Sequence, residues 1–220
     1  MSDTSNLRMP RLYLFAAALI AGASFWPASH AAFPVDLMLG WKGAGVGLLA
    51  IWVGLAARER NGWLMTAVMA FGAIGDVLIE LSQVAGAVAF LFGHALAIIL
   101  YLSNRRRDGA GVAIGIAVLI PALAWAIGRN PIILVYAIGL GGMAGAAWGS
   151  RFPRSYVALG ALLFAASDLL IFARLGPLAG SIIPDLLVWP LYLAGQALIA
   201  WGVVRTLEAR KRNEDLHHRL

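Results

Sequence analysis

Long apolar segments, separated by short polar or Pro/Gly-containing breaks, run along almost the entire chain. Eight of them approach the roughly 20 residues that a helix needs to cross a bilayer. They cover residues 11–25, 37–57, 63–81, 84–103, 109–127, 131–149, 155–173 and 185–204. The pattern therefore predicts an all-α integral membrane protein with eight transmembrane helices.

The break at Ser82 and Gln83 is the shortest, because Ala, Gly and Val continue the apolar pattern directly after it. A single helix over residues 63–103 would be about twice as long as a bilayer is thick. We therefore predict a tight turn at this point, with one helix ending and the next beginning within a few residues.

The composition agrees with a membrane protein. Hydrophobic residues make up 61% of the chain and charged residues 13%, against roughly 45–50% and 25% in soluble domains. Such a chain could not cover itself with polar surface in water, and it is too apolar to be disordered. The absence of cysteine excludes disulfides, thiolate nucleophiles and cysteine-based zinc sites.

The net charge of +6 raises the question of a nucleic-acid partner. No basic stripe interleaved with aromatic residues lies outside the apolar segments, so no nucleic-acid partner is expected. Instead, 14 of the 17 basic residues fall in alternate connections: Arg8, Arg11, Arg58, Arg60, Arg105, Arg106, Arg107, Arg151, Arg154, Arg205, Arg210, Lys211, Arg212 and Arg219. By the positive-inside rule, both termini are expected to be cytoplasmic, in an inner (plasma) membrane of bacterial type.

The domain organisation follows from these segments. We expect a cytoplasmic N-terminal segment over residues 1–10, a transmembrane domain over 11–204 and a solvated basic cytoplasmic tail over 205–220. An alternative for the first span is a secretory signal peptide, because the small residues at 28–32 resemble a cleavage site. The later spans keep the same orientation in either case.

An internal repeat divides the transmembrane domain. The third span contains FGAIGDVLI at 71–79 and the seventh contains FAASDLLI at 164–171. The span after each contains GHAL at 93–96 or GQAL at 195–198. Because each half has four spans, both halves would enter the membrane from the same side. This predicts two parallel four-helix half-repeats, about 11–103 and 109–204, around a polar intramembrane cavity.

Ionisable side chains inside spans are costly unless they face a bundle interior or a wet cavity, so each is a candidate functional residue. Four such residues stand out: Lys42, Asp76, His94 and Asp168. In the expected topology, both aspartates lie about two-thirds of the way towards the outer face. The polar residues Tyr136 and Tyr192 also fall in the outer half, whereas His94 and Gln196 lie near the middle of the membrane.

Asp76 and Asp168 are the candidate catalytic residues. Two carboxyl groups in a low-dielectric pocket cannot easily both ionise, so one is expected to keep its proton and act as a general acid while the other acts as a general base. The alternative is that each is a helix-packing residue hydrogen-bonded to a neighbour.

Candidate substrate-binding residues surround this pair: Lys42, His94, Tyr136, Tyr192 and Gln196. Lys42 could attract a lipid phosphate or extend to the headgroups, and His94 could act directly or be an ordinary interior histidine. The tyrosines and Gln196 could donate hydrogen bonds to substrate, although interfacial tyrosines are also common. Glu80, one turn beyond Asp76, is either a pocket rim or a solvated helix end.

Metal and cofactor chemistry is not expected. Of the four histidines, two lie in the tail and one in the first outer loop, so a multi-histidine metal centre is disfavoured. The chain has no Gly-x-Ser-x-Gly, Walker or His-Glu-x-x-His motif. A metal-free carboxylate site is therefore the simplest enzyme hypothesis.

Several of these residues stand in longer motifs. They are Lys42 in the second span, Gly75-Asp76 in the third, Gly93-His94 in the fourth, GALLFAASD at 160–168 and YLAGQALIA at 192–200. With these motifs the chain resembles the YhhN/TMEM86 family of membrane lysoplasmalogenases over nearly its whole length. Two positions depart from the family pattern: Gly43 follows the lysine where proline is common, and Ala97 stands where a tyrosine is often found.

The resemblance implies hydrolysis of the vinyl ether bond of lysoplasmalogens, with a lysophospholipid as substrate and membrane lipids as surroundings. The products would be a fatty aldehyde and glycerophosphocholine or glycerophosphoethanolamine, and no cofactor would be required. Other classes are an intramembrane hydrolase of another lysolipid or peptide bond, a lipid transporter and a non-catalytic lipid-binding protein.

Overall fold

A computed structural model of the chain describes residues 8–106 and 108–217. Within these residues it contains eight α-helices and no strand: α1 Arg8–Ala28, α2 Val35–Ala56, α3 Arg60–Leu81, α4 Gln83–Ser103, α5 Ala110–Gly128, α6 Pro131–Trp148, α7 Leu159–Arg174 and α8 Ile183–His217. A π-helical turn, Arg154–Ala158, leads into α7. Each helix, with that turn added to α7, is long and apolar enough to cross a membrane. The predicted all-α membrane fold is thus confirmed.

The predicted helix boundaries agree with the structure to within a few residues, with one large difference. Ser82 alone separates α3 from α4, and its hydroxyl oxygen accepts a hydrogen bond from the Ala85 N–H at 3.3 Å, so the predicted tight turn is confirmed. The last helix continues from the predicted end at 204 to His217. Most of the predicted N-terminal segment, and also Arg107 and Arg219, lie outside the described residues.

The start of α1 and the end of α8 lie at the same end of the bundle, which we call the terminal end. Arg11 near the start of α1 forms an ion pair of 2.9 Å with Glu208 near the end of α8. At this end Asn104 donates a hydrogen bond to Asn61 at 3.2 Å and accepts one from Arg210 at 2.9 Å. The Arg151 N–H also donates to the Asn104 carbonyl at 2.7 Å. Two connections, the start of α3 and the last helix are therefore held together by hydrogen bonds to Asn104.

Helices that are adjacent in sequence pack against each other, except that α4 and α5 do not. Between the predicted halves, α2 packs against α8 and α4 packs against α6. A two-fold axis that exchanges the halves would convert the first of these contacts into the second. The contacts of α8 with α1 and α3 have no such counterpart, so the packing is symmetric in part and the repeat stays a prediction.

Small residues allow a close approach of the backbones of α7 and α8. A Cβ atom built on Gly160 would lie 2.7 Å from the carbonyl oxygen of Gly195, and one built on Gly195 would lie 2.7 Å from the carbonyl oxygen of Gly160. Association of helices in lipid depends on such close packing, because lipid tails are as apolar as the side chains. This contact holds the helix that carries Asp168 against the helix that carries Tyr192.

The bundle has a densely packed half and a half that contains a cavity. The largest fully buried side chains include Leu49, Met65, Leu100, Tyr101 and Phe152, which lie towards the terminal end. The opposite half holds the predicted polar residues described below. The packed half therefore acts as the base on which the candidate site is built.

The Gly160 contact predicts a clear effect of adding one methyl group. We expect Gly160→Ala to lower the free energy of unfolding by about 1–3 kcal/mol, because the new methyl group would overlap a backbone oxygen. The matched control is Gly115→Ala on α5, where a Cβ atom meets nothing within 4 Å. Unfolding of the detergent-solubilised protein in SDS measures both, and equal stabilities of the two variants would contradict the role of the contact.

Candidate active site

A cavity of about 580 Å³ lies in the half of the bundle opposite the terminal end. This volume lies within the roughly 300–1,000 Å³ of small-molecule sites. Its walls are mainly aliphatic and aromatic. The polar and charged side chains that line it are Lys42, Asp76, Gln83, Asn130, Tyr136, Ser167, Asp168, Arg174 and Tyr192. Both predicted catalytic residues therefore face the same cavity, together with three of the five predicted substrate-binding residues.

Helix register places the two aspartates at nearly the same depth. Asp76 lies five residues before the end of α3 and Asp168 six residues before the end of α7. At 1.5 Å per residue both lie about 8–9 Å from the ends of their helices. Because α3 and α7 run in the same direction, the carboxyl groups share one layer, as the sequence predicts.

Asp76 is 2% exposed and is held by a partner on another helix. The Tyr192 hydroxyl of α8 donates a hydrogen bond to Asp76 Oδ2 at 2.8 Å. The Gln196 side chain, one turn further along α8, donates from Nε2 to the Tyr192 hydroxyl oxygen at 3.3 Å. Gly72 makes room for this chain of hydrogen bonds, since a Cβ atom there would lie 2.9 Å from Gln196 Nε2.

Asp168 has an equivalent arrangement. It is 6% exposed, and the Tyr136 hydroxyl of α6 donates to Asp168 Oδ2 at 2.7 Å. In both aspartates, Oδ2 accepts the tyrosine hydrogen bond. The Oδ1 atom of each takes no part in this hydrogen bond.

Lys42 lies at the rim of the cavity and forms an ion pair with Glu80. The lysine side chain is 15% exposed and the glutamate side chain 51% exposed, so the pair bridges the cavity and the surface. The Lys42 ammonium also lies 6.0 Å from the ring centroid of Trp189. Glu80 thus combines the two interpretations left open by the sequence, because it is exposed and also contacts a cavity-lining residue.

The remaining two predicted binding residues, His94 and Gln196, do not line the main cavity. They line a second, smaller pocket of about 20 Å³, deeper in the bundle. The His94 ring lies edge-on to the rings of Tyr136 and Phe164, with centroid distances of 5.3 Å to each. His94 therefore contacts the main site through Tyr136, and Gln196 contacts it through Tyr192.

Several cavity residues were not among the predicted site residues. Arg174, at the end of α7, forms an ion pair of 2.9 Å with Asp185. Trp189 donates its indole N–H to the Gly22 carbonyl at 2.7 Å, and Ser167 donates to the Val188 carbonyl at 2.9 Å. Arg174 could have been found from its position, because it is one of only two basic residues predicted on its side of the membrane.

Exposed residues in the cavity lining point to an opening between α4 and α6. Val84 and Val88 of α4, and Ile132 and Val135 of α6, line the cavity and are also exposed. Deeper in the bundle the two helices come together. Leu91 and Ile98 of α4 pack there against Gly139 and Gly142 of α6, and a Cβ atom on Gly142 would lie 3.2 Å from Ile98 Cδ1. The helices therefore separate towards the cavity and leave a lateral opening.

The residues that face the cavity suit acid–base chemistry. In residues 8–106 and 108–217, no group of three or more His, Asp or Glu side chains is arranged to hold a metal ion. Two buried carboxyl groups with fixed orientation can serve as a proton donor and a proton acceptor.

An eight-helix membrane fold with two buried carboxyl groups in a laterally open cavity defines an integral membrane protein with a candidate intramembrane acid–base site. The model of the YhhN family matches residues 37–203. Because this match covers most of the chain, the protein belongs to the YhhN family, as the sequence motifs indicate. Neither the curated proteins nor the solved structures gave a match to the chain.

The two tyrosine hydrogen bonds predict a stability effect that is independent of any activity. We expect Tyr136→Phe and Tyr192→Phe each to lower the free energy of unfolding by about 1–3 kcal/mol, because each leaves a buried carboxyl group without its hydroxyl donor. Tyr156→Phe is the control, since Tyr156 is 41% exposed. If SDS unfolding shows the same stability for all three variants, the hydrogen bonds do not hold the aspartates.

Proposed function

We propose that the protein is a lysoplasmalogenase that hydrolyses the vinyl ether bond of lysoplasmalogens within the membrane. The observation that carries the proposal is that two buried aspartates, each hydrogen-bonded to a tyrosine, face one mainly apolar cavity that exposed residues of α4 and α6 also line. Membership of the YhhN family and the resemblance of the motifs to membrane lysoplasmalogenases support the same activity.

The cavity suits a lipid with a single chain. Aliphatic residues of α4, α6 and α7 provide an apolar lining for a hydrocarbon chain, and burial of each methylene group there is favourable. Arg174 and Asn130 lie near the helix ends, and the Lys42 side chain reaches the rim beside Glu80, where a phosphate headgroup would be placed. A lysolipid could thus place its chain between the helices and its phosphate beside the cations.

The first chemical step is protonation of the double bond. One aspartic acid, Asp76 or Asp168, donates its proton to the β-carbon of the vinyl ether, and this forms an oxocarbenium ion at the α-carbon and oxygen. The remaining carboxylate charge stabilises the cation, because electrostatic interactions are strong in a low-dielectric cavity. The tyrosine hydrogen bonds hold both carboxyl groups in position for this step.

Capture by water completes the reaction. The second aspartate accepts a proton as water adds to the oxocarbenium carbon and forms a hemiacetal. The hemiacetal then breaks its bond to the glycerol oxygen. Its hydroxyl loses a proton, the glycerol oxygen gains one, and a fatty aldehyde is released. One water is consumed, and the two carboxyl groups together regain their single proton.

Placement in the membrane is part of the proposal. The excess of Lys and Arg at the terminal end favours a cytoplasmic location of that end, in an inner (plasma) membrane of bacterial type. The cavity then lies in the outer half of the bilayer. The opening between α4 and α6 would admit lysolipid sideways from the outer leaflet.

The proposal predicts that both aspartates are required. We expect Asp76→Asn and Asp168→Asn each to reduce aldehyde release from 1-alkenyl-glycerophosphoethanolamine by at least about 100-fold, because the amide can neither donate nor accept the catalytic proton in the same way. Asp36→Asn, an exposed position in the first turn of α2, is the control that should keep full activity. Near-full turnover by either of the first two variants would refute the proposed pair.

The same preparation separates the other classes of function. An ester lysolipid assayed in parallel shows whether another bond is cleaved. Intact substrate carried into sealed vesicles without aldehyde release would identify a transporter instead. Binding without cleavage or uptake would identify a lipid-binding protein.

The lateral opening gives a further prediction. We expect Val88→Trp and Val135→Trp to raise KM severalfold for a long-chain lysoplasmalogen and to leave turnover of a short, water-soluble vinyl ether almost unchanged, because the indole ring would narrow the opening. Val118→Trp on α5 is the control, since Val118 is exposed but does not line the cavity. Equal kinetics of the three variants would place substrate entry elsewhere.

A further inference from the structure

The small pocket beneath the main cavity is lined by polar groups that the proposed reaction does not use. Its volume is about 20 Å³, and it is lined by residues of α3, α4, α6, α7 and α8. His94, Tyr101 and Gln196 supply its polar side chains, and Ala97 and Phe164 are among its apolar ones. Phe90 lines both this pocket and the main cavity, so the two spaces are neighbours.

Three polar atoms at this pocket lack a protein partner. They are the two ring nitrogens of His94 and the hydroxyl oxygen of Tyr101. None of them forms a hydrogen bond with another described residue. These side chains are deeply buried, with His94 4% and Tyr101 0% exposed. Buried polar groups in proteins are almost always paired with protein or with ordered water.

We propose that the pocket binds one water molecule, held by His94, Tyr101 and Gln196, and that this water positions Asp76. A water needs about 10–15 Å³ of such volume and two to four polar partners. The pocket provides both. The Tyr101 hydroxyl donates to the water, and the water donates to one His94 nitrogen and to Gln196.

Gln196 connects the water to the carboxyl group. Its Nε2 is directed to the Tyr192 hydroxyl, which in turn donates to Asp76. The amide oxygen of Gln196 is then the end that accepts a hydrogen bond from the water. Water, amide, hydroxyl and carboxyl group thus form one continuous chain.

The consequence for catalysis rests on the proposed function. Without the water, the flexible side chain of Gln196 would be held only by its hydrogen bond to the Tyr192 hydroxyl, which is long at 3.3 Å. The water fixes the amide from the opposite side and so holds Tyr192 and Asp76 in the orientation required for proton transfer. His94 and Tyr101 are accordingly positioning residues, because neither lines the cavity where the substrate reacts.

The water itself is tested by radiolytic labelling, which does not depend on activity. Hydroxyl radicals formed from bound water during brief X-ray exposure oxidise adjacent side chains, and mass spectrometry locates the oxidation. We expect His94 and Tyr101 to be oxidised although they are buried. Phe152, equally buried and in ring contact with Tyr101 but not lining the pocket, is the control that should stay unmodified. Oxidation of His94 and Tyr101 no higher than that of Phe152 would overturn the water site.

Tyr101→Phe gives a test that depends on the sign of the effect. Removing a buried hydroxyl that has no partner would raise the thermal midpoint of the protein. Removing a hydroxyl that is bonded to a held water should lower it. A raised or unchanged midpoint would contradict the proposal.

Kinetics test the link to Asp76. We expect Ala97→Val, which fills part of the pocket with methyl groups, to lower kcat for the vinyl ether lysolipid about tenfold with KM unchanged. Even a small misplacement of a catalytic group can lower the rate by up to about 100-fold. Ala122→Val on the exposed face of α5 should leave both constants unchanged. Tyr101→Phe should shift kcat in the same direction as Ala97→Val, so a failure of Ala97→Val to fold does not remove the test. An unchanged kcat or a raised KM would exclude the positioning role.

The two proposals can fail separately. Native protein that releases no aldehyde contradicts the proposed function and, with it, the positioning of Asp76. Labelling and the thermal midpoint of Tyr101→Phe would still decide whether the water binds.

Discussion

The structure depends on keeping two carboxyl groups inside an apolar helix bundle. A buried carboxyl group without a hydrogen-bond partner is costly in a low-dielectric interior. Asp76 and Asp168 each meet this constraint with a tyrosine from another helix, Tyr192 or Tyr136. These contacts require α3 to lie beside α8 and α7 beside α6, so the arrangement of four helices follows from the needs of two side chains.

Close packing elsewhere makes that arrangement possible. Gly72 leaves space for the amide of Gln196, and Gly160 and Gly195 let the backbones of α7 and α8 touch. A rigid, densely packed terminal half supports these contacts, whereas the opposite half keeps a cavity large enough for a ligand. The packed half stabilises the fold and the other half holds the candidate site. A cavity through the whole bundle would leave the helices that carry the tyrosines without rigid packing.

The helices could be predicted because bilayer thickness imposes one length on every apolar segment. The depth of Asp76 and Asp168 followed from the same regularity. Side-chain direction could not be predicted at this level, so His94 was expected in the substrate site although it lines a deeper pocket. The extension of α8 to His217 was also not predicted, because a charged segment outside the membrane carries no length signal. The lateral opening depends on the distance between α4 and α6. That distance could not be predicted, because it is set by the packing of both helices and not by the sequence of either one.

The first helix shows why the site is larger than the segment that defines the family. The family match begins at residue 37, after α1 has ended. Nevertheless, the Gly22 carbonyl of α1 accepts the indole hydrogen bond of the cavity residue Trp189, and the Ala21 carbonyl accepts that of Trp41 at 3.1 Å. Since α1 also packs against both α2 and α8, its removal would leave the buried indole of Trp189 and the half-buried indole of Trp41 without these acceptors. The first helix therefore supports the wall of the cavity.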